Sequence, residues 1–161
     1  MDLCLYKFEM SNHQPPSGAK SIAEILEAAR SQLNRVSPAQ LLEQLKTSEN
    51  DDSPIHLIDI RPVSQRAAEG SLTIPPDASP QHKVHVIERN VLEWRLDPQS
   101  PARIKELVDP AGYSTRVIVF CSESYTSSLA ARELQRLGLR NATDLEGGYM
   151  SWKALRDHQQ D

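Results

Sequence analysis

The stretch Arg116-Val-Ile-Val-Phe-Cys121-Ser-Glu-Ser-Tyr-Thr-Ser127-Ser-Leu-Ala-Ala131 decides the fold class. Val117, Ile118, Val119 and Phe120 form a continuous apolar, mostly β-branched run, the pattern of a parallel strand covered on both faces. Leu129, Ala130, Ala131, Leu134 and Leu137 then recur at helical spacing, and Gly138 supplies a stop. Cys121 therefore sits where a buried strand ends, under the amino end of a helix. Unpaired backbone N–H groups and the helix dipole converge there on negative charge. A thiol in that field is expected to ionise readily and to act as a nucleophile near neutral pH. The alternative for a lone cysteine is an inert, buried small hydrophobe. The polar and small residues of 122–127 weigh against that alternative.

The flanking sequence repeats the strand–helix theme. Ile55-His-Leu-Ile-Asp-Ile60 reads as a second buried strand, with Asp59 and Arg61 at its end and a short helix from Val63 to Glu69 stopped by Gly70. Val84 to Ile87 reads as a short strand, Asn90 caps a brief helix with Val91, Leu92 and Trp94, and a further helix is expected over 101–108. A strand over Ala142 to Leu145, a Gly147-Gly148 turn and a helix with Tyr149, Trp152 and Leu155 close the pattern. Upstream, Ser37-Pro38 opens a helix with Leu41, Leu42 and Leu45 on its apolar face. Ser21 and Glu24 form a capping box for an earlier amphipathic helix carrying Ile22, Ile25, Leu26, Ala29 and Leu33. That helix could pack on its own domain or on a partner. Strands alternating with helices at these lengths imply an α/β fold, an open parallel sheet with helices on both faces. Sites in such sheets lie beyond the carboxyl ends of the strands, where Cys121, Asp59 and Arg61 all fall.

Composition narrows the function classes. The 161 residues suffice for one α/β domain plus an extension, divided as a leader over 1–19, the helix over 20–34, the domain over 35–156 and a tail over 157–161. A net charge of −4 lacks the basic character of a nucleic-acid binder. No apolar run approaches the ~20 residues that span a bilayer, so no membrane association is expected. Residues 1–20 lack the basic flank and apolar stretch of a secretion signal. With only Cys4 and Cys121 present, a structural disulfide is not expected, and a reducing cytoplasm is the default location. No Cys/His spacing suggests zinc, and neither a metal nor another cofactor is expected.

In order along the chain, these motifs resemble a single rhodanese domain. Ile58-Asp59-Ile60-Arg61 resembles the family's Asp-x-Arg, and Val117 to Cys121 its strand and catalytic cysteine. Leu129-Ala-Ala and Leu134 to Gly138 resemble the helix after the loop, and Leu145-Glu-Gly147-Gly148-Tyr-Met-Ser-Trp152 its closing Leu-x-Gly-Gly-x-x-x-Trp. The likeness spans about residues 35–156, and Glu88 to Arg95 with Tyr125 to Ser128 is similar to an actinomycete-type subgroup. The resemblance implies a five-stranded, mainly parallel sheet and a thiosulfate or persulfide sulfurtransferase. Three departures stand out. The loop pattern Cys-x-x-Gly-x-Arg-Ser has Ser124 for its glycine and Thr126 for its arginine. The usual Gly-His-Ile-Pro-Gly-Ala segment is here Gly70-Ser-Leu-Thr-Ile-Pro-Pro-Asp, and Glu123 adds a negative charge to the loop. If the backbone needs positive φ at residue 124, serine would be strained there.

The implied chemistry takes sulfane sulfur from a thiosulfate or persulfide donor onto Cys121, then passes it to a thiol, cyanide or protein acceptor. Loop residues Ser122, Glu123, Ser124, Tyr125, Thr126 and Ser127 would curl around the sulfur, with backbone N–H groups facing the anion. Arg61 is the first candidate cation for a dianionic donor, with Asp59, Arg89 and Arg95 in support. Asp59 and Arg61 could equally form a structural ion pair. Trp94 and Trp152 are expected in the core or pocket wall, and His56, His82 and His85 have no identifiable partner. A mobile Cys4 could resolve a persulfide. Two other functions compete: a non-catalytic rhodanese-like binding module, and a cysteine phosphatase. The latter needs Cys-x5-Arg to chelate phosphate, and position 127 is serine.

Overall fold

Period-two alternation along the central strands builds both layers of the core at once. The computed structural model describes residues 14–46 and 53–158, so Cys4 lies outside the described residues. Strands β1 (Ile55–Asp59) and β3 (Arg116–Phe120) pair in parallel, with Ile58 opposite Val119 and Asp59 opposite Phe120. β2 (Lys83–Val86) flanks β1 and β4 (Ala142–Asp144) flanks β3, giving the all-parallel order β2-β1-β3-β4. Ile58, Val117 and Val119 point to one face with Ile60 and Cys121, against buried residues of α4 (Leu92–Leu96), α5 (Lys105–Val108) and α6 (Thr126–Arg136). Ile55, Leu57, Ile118 and Phe120 point to the other, against α2 (Pro38–Lys46) and α7 (Gly148–His158). Helices thus cover both faces, which is why Val117 to Phe120 of the central β3 reads as an unbroken apolar run.

The sheet has four strands among the described residues, not the five expected. The fifth is reduced to one parallel bridge, Val36 to Leu145, in which Val36 N–H donates to Asp144 O and Val36 O accepts from Glu146 N–H. Ser37 ends it. Its hydroxyl accepts from Gln40 N–H at 3.3 Å while Gln40 Oε1 accepts from Ser37 N–H at 2.9 Å, so the next residue, Pro38, already begins α2.

The other elements follow their local signals, except that Asn90 lies within a 3-10 turn over Arg89–Val91 and does not cap α4, whose N-cap position is Val91 with no side-chain cap. Ser21 and Glu24 make both bonds of the capping box on α1 (Ile22–Arg30), and this helix packs on α6. α3 (Val63–Glu69) ends at Gly70, where φ is 103°. The helix expected over 101–108 is confined to α5, because its first four residues turn on the hydroxyl and carbonyl of Ser100. Trp152 is buried, but Trp94 is 60% exposed and belongs to no core. α4 is only five residues long and buries Leu92 and Leu96, leaving the face of Trp94 outward. No helix among the described residues is long and apolar enough to cross a membrane.

Candidate functional site

Cys121 continues the alternation of Val117 and Val119, so its side chain turns onto the α6 face at the point where the chain leaves the sheet. It is 7% exposed, and its Sγ lies 3.3 Å from the hydroxyl of the fully buried Ser127. That hydroxyl can accept from a thiol or, by turning, donate to a thiolate. Residues 122–126 therefore arch between two side chains in contact. Among the described residues, no protein acceptor takes a hydrogen bond from the backbone N–H groups of Glu123, Ser124, Tyr125, Thr126 or Ser127. Five uncommitted amides in one short arch are donors that an anion can accept from.

The arch is fastened from below by the start of α7. Tyr149 N–H donates to Cys121 O at 2.9 Å and Met150 N–H to Ser122 O at 3.0 Å. So close an approach leaves no room for a side chain. A Cβ on Gly148, whose φ is 63°, would stand 2.5 Å from both of those carbonyl oxygens. Glycine at 148 is needed for this contact.

Ser124 does adopt the left-handed backbone, with φ of 65°, and it is the non-glycine residue that does so among the described residues. The conformation costs on the order of 1 kcal/mol for an L-residue. Several contacts offset it. Ser124 Oγ accepts from Arg35 Nη2 at 3.1 Å and from Gly147 N–H at 3.1 Å, while Ser124 O accepts from Arg30 Nη2 at 3.0 Å. Arg35 in turn makes a two-point bond to Asp144, at 2.9 and 3.0 Å. This bonding holds the Arg35 guanidinium charged more firmly than an ordinary arginine, against the effect of burial. Ser128 Oγ lies 2.7 Å from both Asp144 Oδ2 and Ser124 O, with one proton to give, and accepts from Arg30 Nε at 3.2 Å. Arg30 also stands over the Tyr125 ring, 5.6 Å from its centroid.

Sequence reasoning did not find Arg30, Arg35, Asp144 or Ser128 as site residues. Their nearest signal is the order Arg35-Val36-Ser37, an arginine just before an edge bridge that leads to the end of β4.

Arg61 is placed differently from the role expected for a donor-binding cation. It is 1% exposed and makes a two-point bond to Asp59 at 2.9 and 2.7 Å, with further bonds to Glu69 at 3.0 Å and Gly70 O at 2.9 Å. Its guanidinium lies 4.1 Å from the Tyr149 ring centroid. Burial alone would lower its pKa, but Asp59 and Glu69 outweigh that and raise it. Burial likewise pushes the Glu69 carboxyl up, and the bonds from Arg61, Ser122 and Gln65 bring it below its ordinary value. This geometry favours the structural ion pair that the sequence left open. Through Ser122 Oγ, 2.9 Å from Glu69 Oε1, the same network ties α3 to the arch.

Of the remaining expected site residues, Glu123, Tyr125 and Thr126 are exposed at the arch. Arg89 is paired with Glu93 at 2.7 Å, and Arg95 donates to Ala102 O at 2.8 Å. Neither contact involves the arch.

The histidines prove to have partners at the other end of the sheet. His56 Nδ1 lies 3.0 Å from His85 Nε2, and His82 Nδ1 accepts from Ile55 N–H at 3.0 Å. Burial first, then the charges of His85, Lys83 and His82, push the His56 pKa down to about 4. No group of three or more His, Cys, Asp or Glu side chains among the described residues could hold a metal ion.

Comparison with known proteins agrees with this architecture. The profile of the rhodanese-like domain matches residues 37–155, well over half of the chain. A protein of unknown function from Rhodopseudomonas palustris, described as a possible tyrosine phosphatase, is similar at 23% identity and a TM-score of 0.68, over 89% of this chain and 96% of that one. The polysulfide-sulfur transferase homodimer from Wolinella succinogenes is similar at 24% identity and a TM-score of 0.51, over 83% of this chain and 82% of that one. An Anabaena protein is similar at 18% identity and a TM-score of 0.53, over 74% of this chain and 77% of that one. At these identities the structural likeness speaks for the fold alone. No curated protein matches the sequence.

Proposed function

The chain belongs to the rhodanese-like domain family, and from that premise we propose that it is a sulfurtransferase working through a persulfide on Cys121. The observation that carries the reading is the arch of five uncommitted amides between Cys121 and Ser127, whose side chains meet at 3.3 Å. Unpaired N–H dipoles turned toward the sulfur would favour negative charge there both before and after transfer. The Cys121 thiolate attacks the outer sulfur of the donor. A new S–S bond forms, the donor's S–S bond breaks, and the leaving sulfite or thiolate departs with the bonding pair. An acceptor thiolate or cyanide then attacks the outer sulfur of the Cys121 persulfide and returns the thiolate. No net oxidation occurs and no cofactor is required.

Charge selects among donors. Glu123 is exposed on the arch, the candidate cations Arg61, Arg89 and Arg95 are each engaged elsewhere, and of the two arginines at the arch Arg35 is paired with Asp144 and Arg30 is bonded to Ser124 O and Ser128 Oγ. At equal distance a carboxylate repels a dianion twice as strongly as a monoanion. A persulfide, singly charged or borne on a protein, is therefore the preferred donor over thiosulfate. The setting we propose is the cytoplasm, where such thiols stay reduced.

The Rhodopseudomonas likeness raises phosphate-ester hydrolysis as a second reading, since both reactions use a cysteine under an amide arch. Arginine is absent from 122–128, and the sixth residue after Cys121 is a serine against the thiol. That leaves nothing in the loop to chelate phosphate oxygens.

Intact mass after incubation with a small-molecule persulfide, or with thiosulfate, tests the reading in wild type and Cys121→Ser. The expected result is a gain of one sulfur in the wild type alone, faster from the persulfide. No adduct from either donor would sink the enzymatic reading and leave a binding module. Aryl-phosphate hydrolysis that disappears in Cys121→Ser would favour the phosphatase instead.

A further inference from the structure

Amides stabilise an anion only when they point at it, and at least one amide of the arch takes its direction from the backbone of Ser124. Rotation about φ of Ser124 turns the peptide unit that precedes it, so relaxation from 65° to an ordinary negative value would swing an arch amide away. Nothing inside the loop prevents this, because serine gains no steric freedom at positive φ. The restraint comes from outside. Arg35 Nη2 bonds Ser124 Oγ at 3.1 Å, and Arg30 Nη2 bonds Ser124 O at 3.0 Å. Asp144, itself fully buried, anchors Arg35 at two points and receives Ser128. Both arginines reach the arch from the stretch that runs from the end of α1 into α2.

Resting on the sulfur-transfer reading of the same site, we propose that Arg35, assisted by Arg30, is a positioning residue that holds Ser124 left-handed and so aims the arch amides at the sulfur of Cys121. Neither arginine bonds the thiol. Arg35 acts through the Ser124 hydroxyl, which explains a serine where the backbone alone would call for glycine. A glycine would adopt the φ freely and offer Arg35 and Gly147 N–H no acceptor. The region before the matched domain thereby becomes part of the site's machinery rather than an appendage.

The test uses the full chain as wild type, Arg35→Met, Ser124→Ala and the double variant Arg35→Met/Ser124→Gly. For each, the rate of sulfur uptake from a small persulfide, the rate of Cys121 alkylation by iodoacetamide and the thermal midpoint are measured. Arg35→Met is expected to lower the maximal uptake rate by about tenfold or more while the half-saturating donor concentration changes less than about twofold. Alkylation should fall in parallel. Adding Ser124→Gly should recover at least about threefold of the loss, because glycine keeps positive φ without a tether. Ser124→Ala, which spares the Arg35–Asp144 pair, should reproduce the uptake defect.

A merely structural arginine would lower the midpoint without a rate loss at temperatures where the variant is folded, and the glycine would recover nothing. Either result overturns the proposal, as does uptake within about twofold of wild type in Ser124→Ala. Should the wild type take up no sulfur, the transfer reading fails on its own. The alkylation ratios then decide whether the tether aims the arch.

Discussion

Replacing Arg61 by methionine separates a structural cation from a donor-binding one. The substitution leaves the Asp59 carboxylate, whose side chain is 2% exposed, without its partner at 2.7 Å. It also removes the donor to Gly70 O and the cation stacked on Tyr149. Breaking a buried pair from one side costs about 3–5 kcal/mol, chiefly because the surviving charge stays buried and unpaired. For a chain of this size each kcal/mol moves the midpoint by roughly 2–4 °C, so a cost near 4 kcal/mol predicts a fall of about 8–16 °C. Changing Asp59→Leu together with Arg61→Met removes both charges and should recover at least about half of that loss. Thermal unfolding followed by circular dichroism gives the midpoints, and sulfur uptake well below the transition gives the kinetics. The reasoning is refuted if Arg61→Met melts within about 2 °C of wild type while the half-saturating donor concentration rises about tenfold, the mark of a lost substrate contact.

Two other perturbations follow from packing and titration. Gly148→Ala should cost about 2–4 kcal/mol, combining left-handed strain with a clash against the Cys121 and Ser122 carbonyls. Gly147→Ala, also left-handed and with its added carbon 2.6 Å from Ser151 Cβ, should cost a similar amount, and urea unfolding that leaves either variant within about 0.5 kcal/mol of wild type would contradict the account. The His56 pKa is lowered from 6.5 to about 4 in the fold, so the unfolded chain binds more protons between those values. Its contribution is present above pH 6.5 and is lost as the pH falls toward 4. Allowing for relaxation and screening around the ring, the loss is about 2 kcal/mol. His56→Gln should flatten the fall of the midpoint between about pH 6.5 and 4.5, and an unchanged slope would exclude the His56–His85 pair as its source.

How far the site could be read in advance depended on sequence distance. Cys121, the strand before it and the helix after it lie within one continuous stretch, and their relation is local. The alternation that sends Val117, Val119 and Cys121 to one face is a backbone property, legible wherever a strand is recognised. The Gly147-Gly148 turn was visible as a motif, but its purpose was not. Only in three dimensions does Gly148 lie against the carbonyls of Cys121 and Ser122, and Gly147 against Ser151. Arg35 stands 109 residues from Asp144 and 89 from Ser124, distances over which periodicity and capping signals carry nothing. The same blindness left Arg61 open between donor cation and structural ion pair, since a charge at a strand end looks the same whether it meets solvent or a buried carboxylate.

The order of strands and helices along the chain and the place of the cysteine were therefore written in the sequence, because each follows from neighbours along the chain. Which arginine faces the arch, which is consumed by an ion pair, and whether a fifth strand survives beyond a single bridge were decided by tertiary structure. Those outcomes depend on which distant carboxylates and carbonyls the packed sheet brings within hydrogen-bond reach, and charge alone does not say where its partner will be.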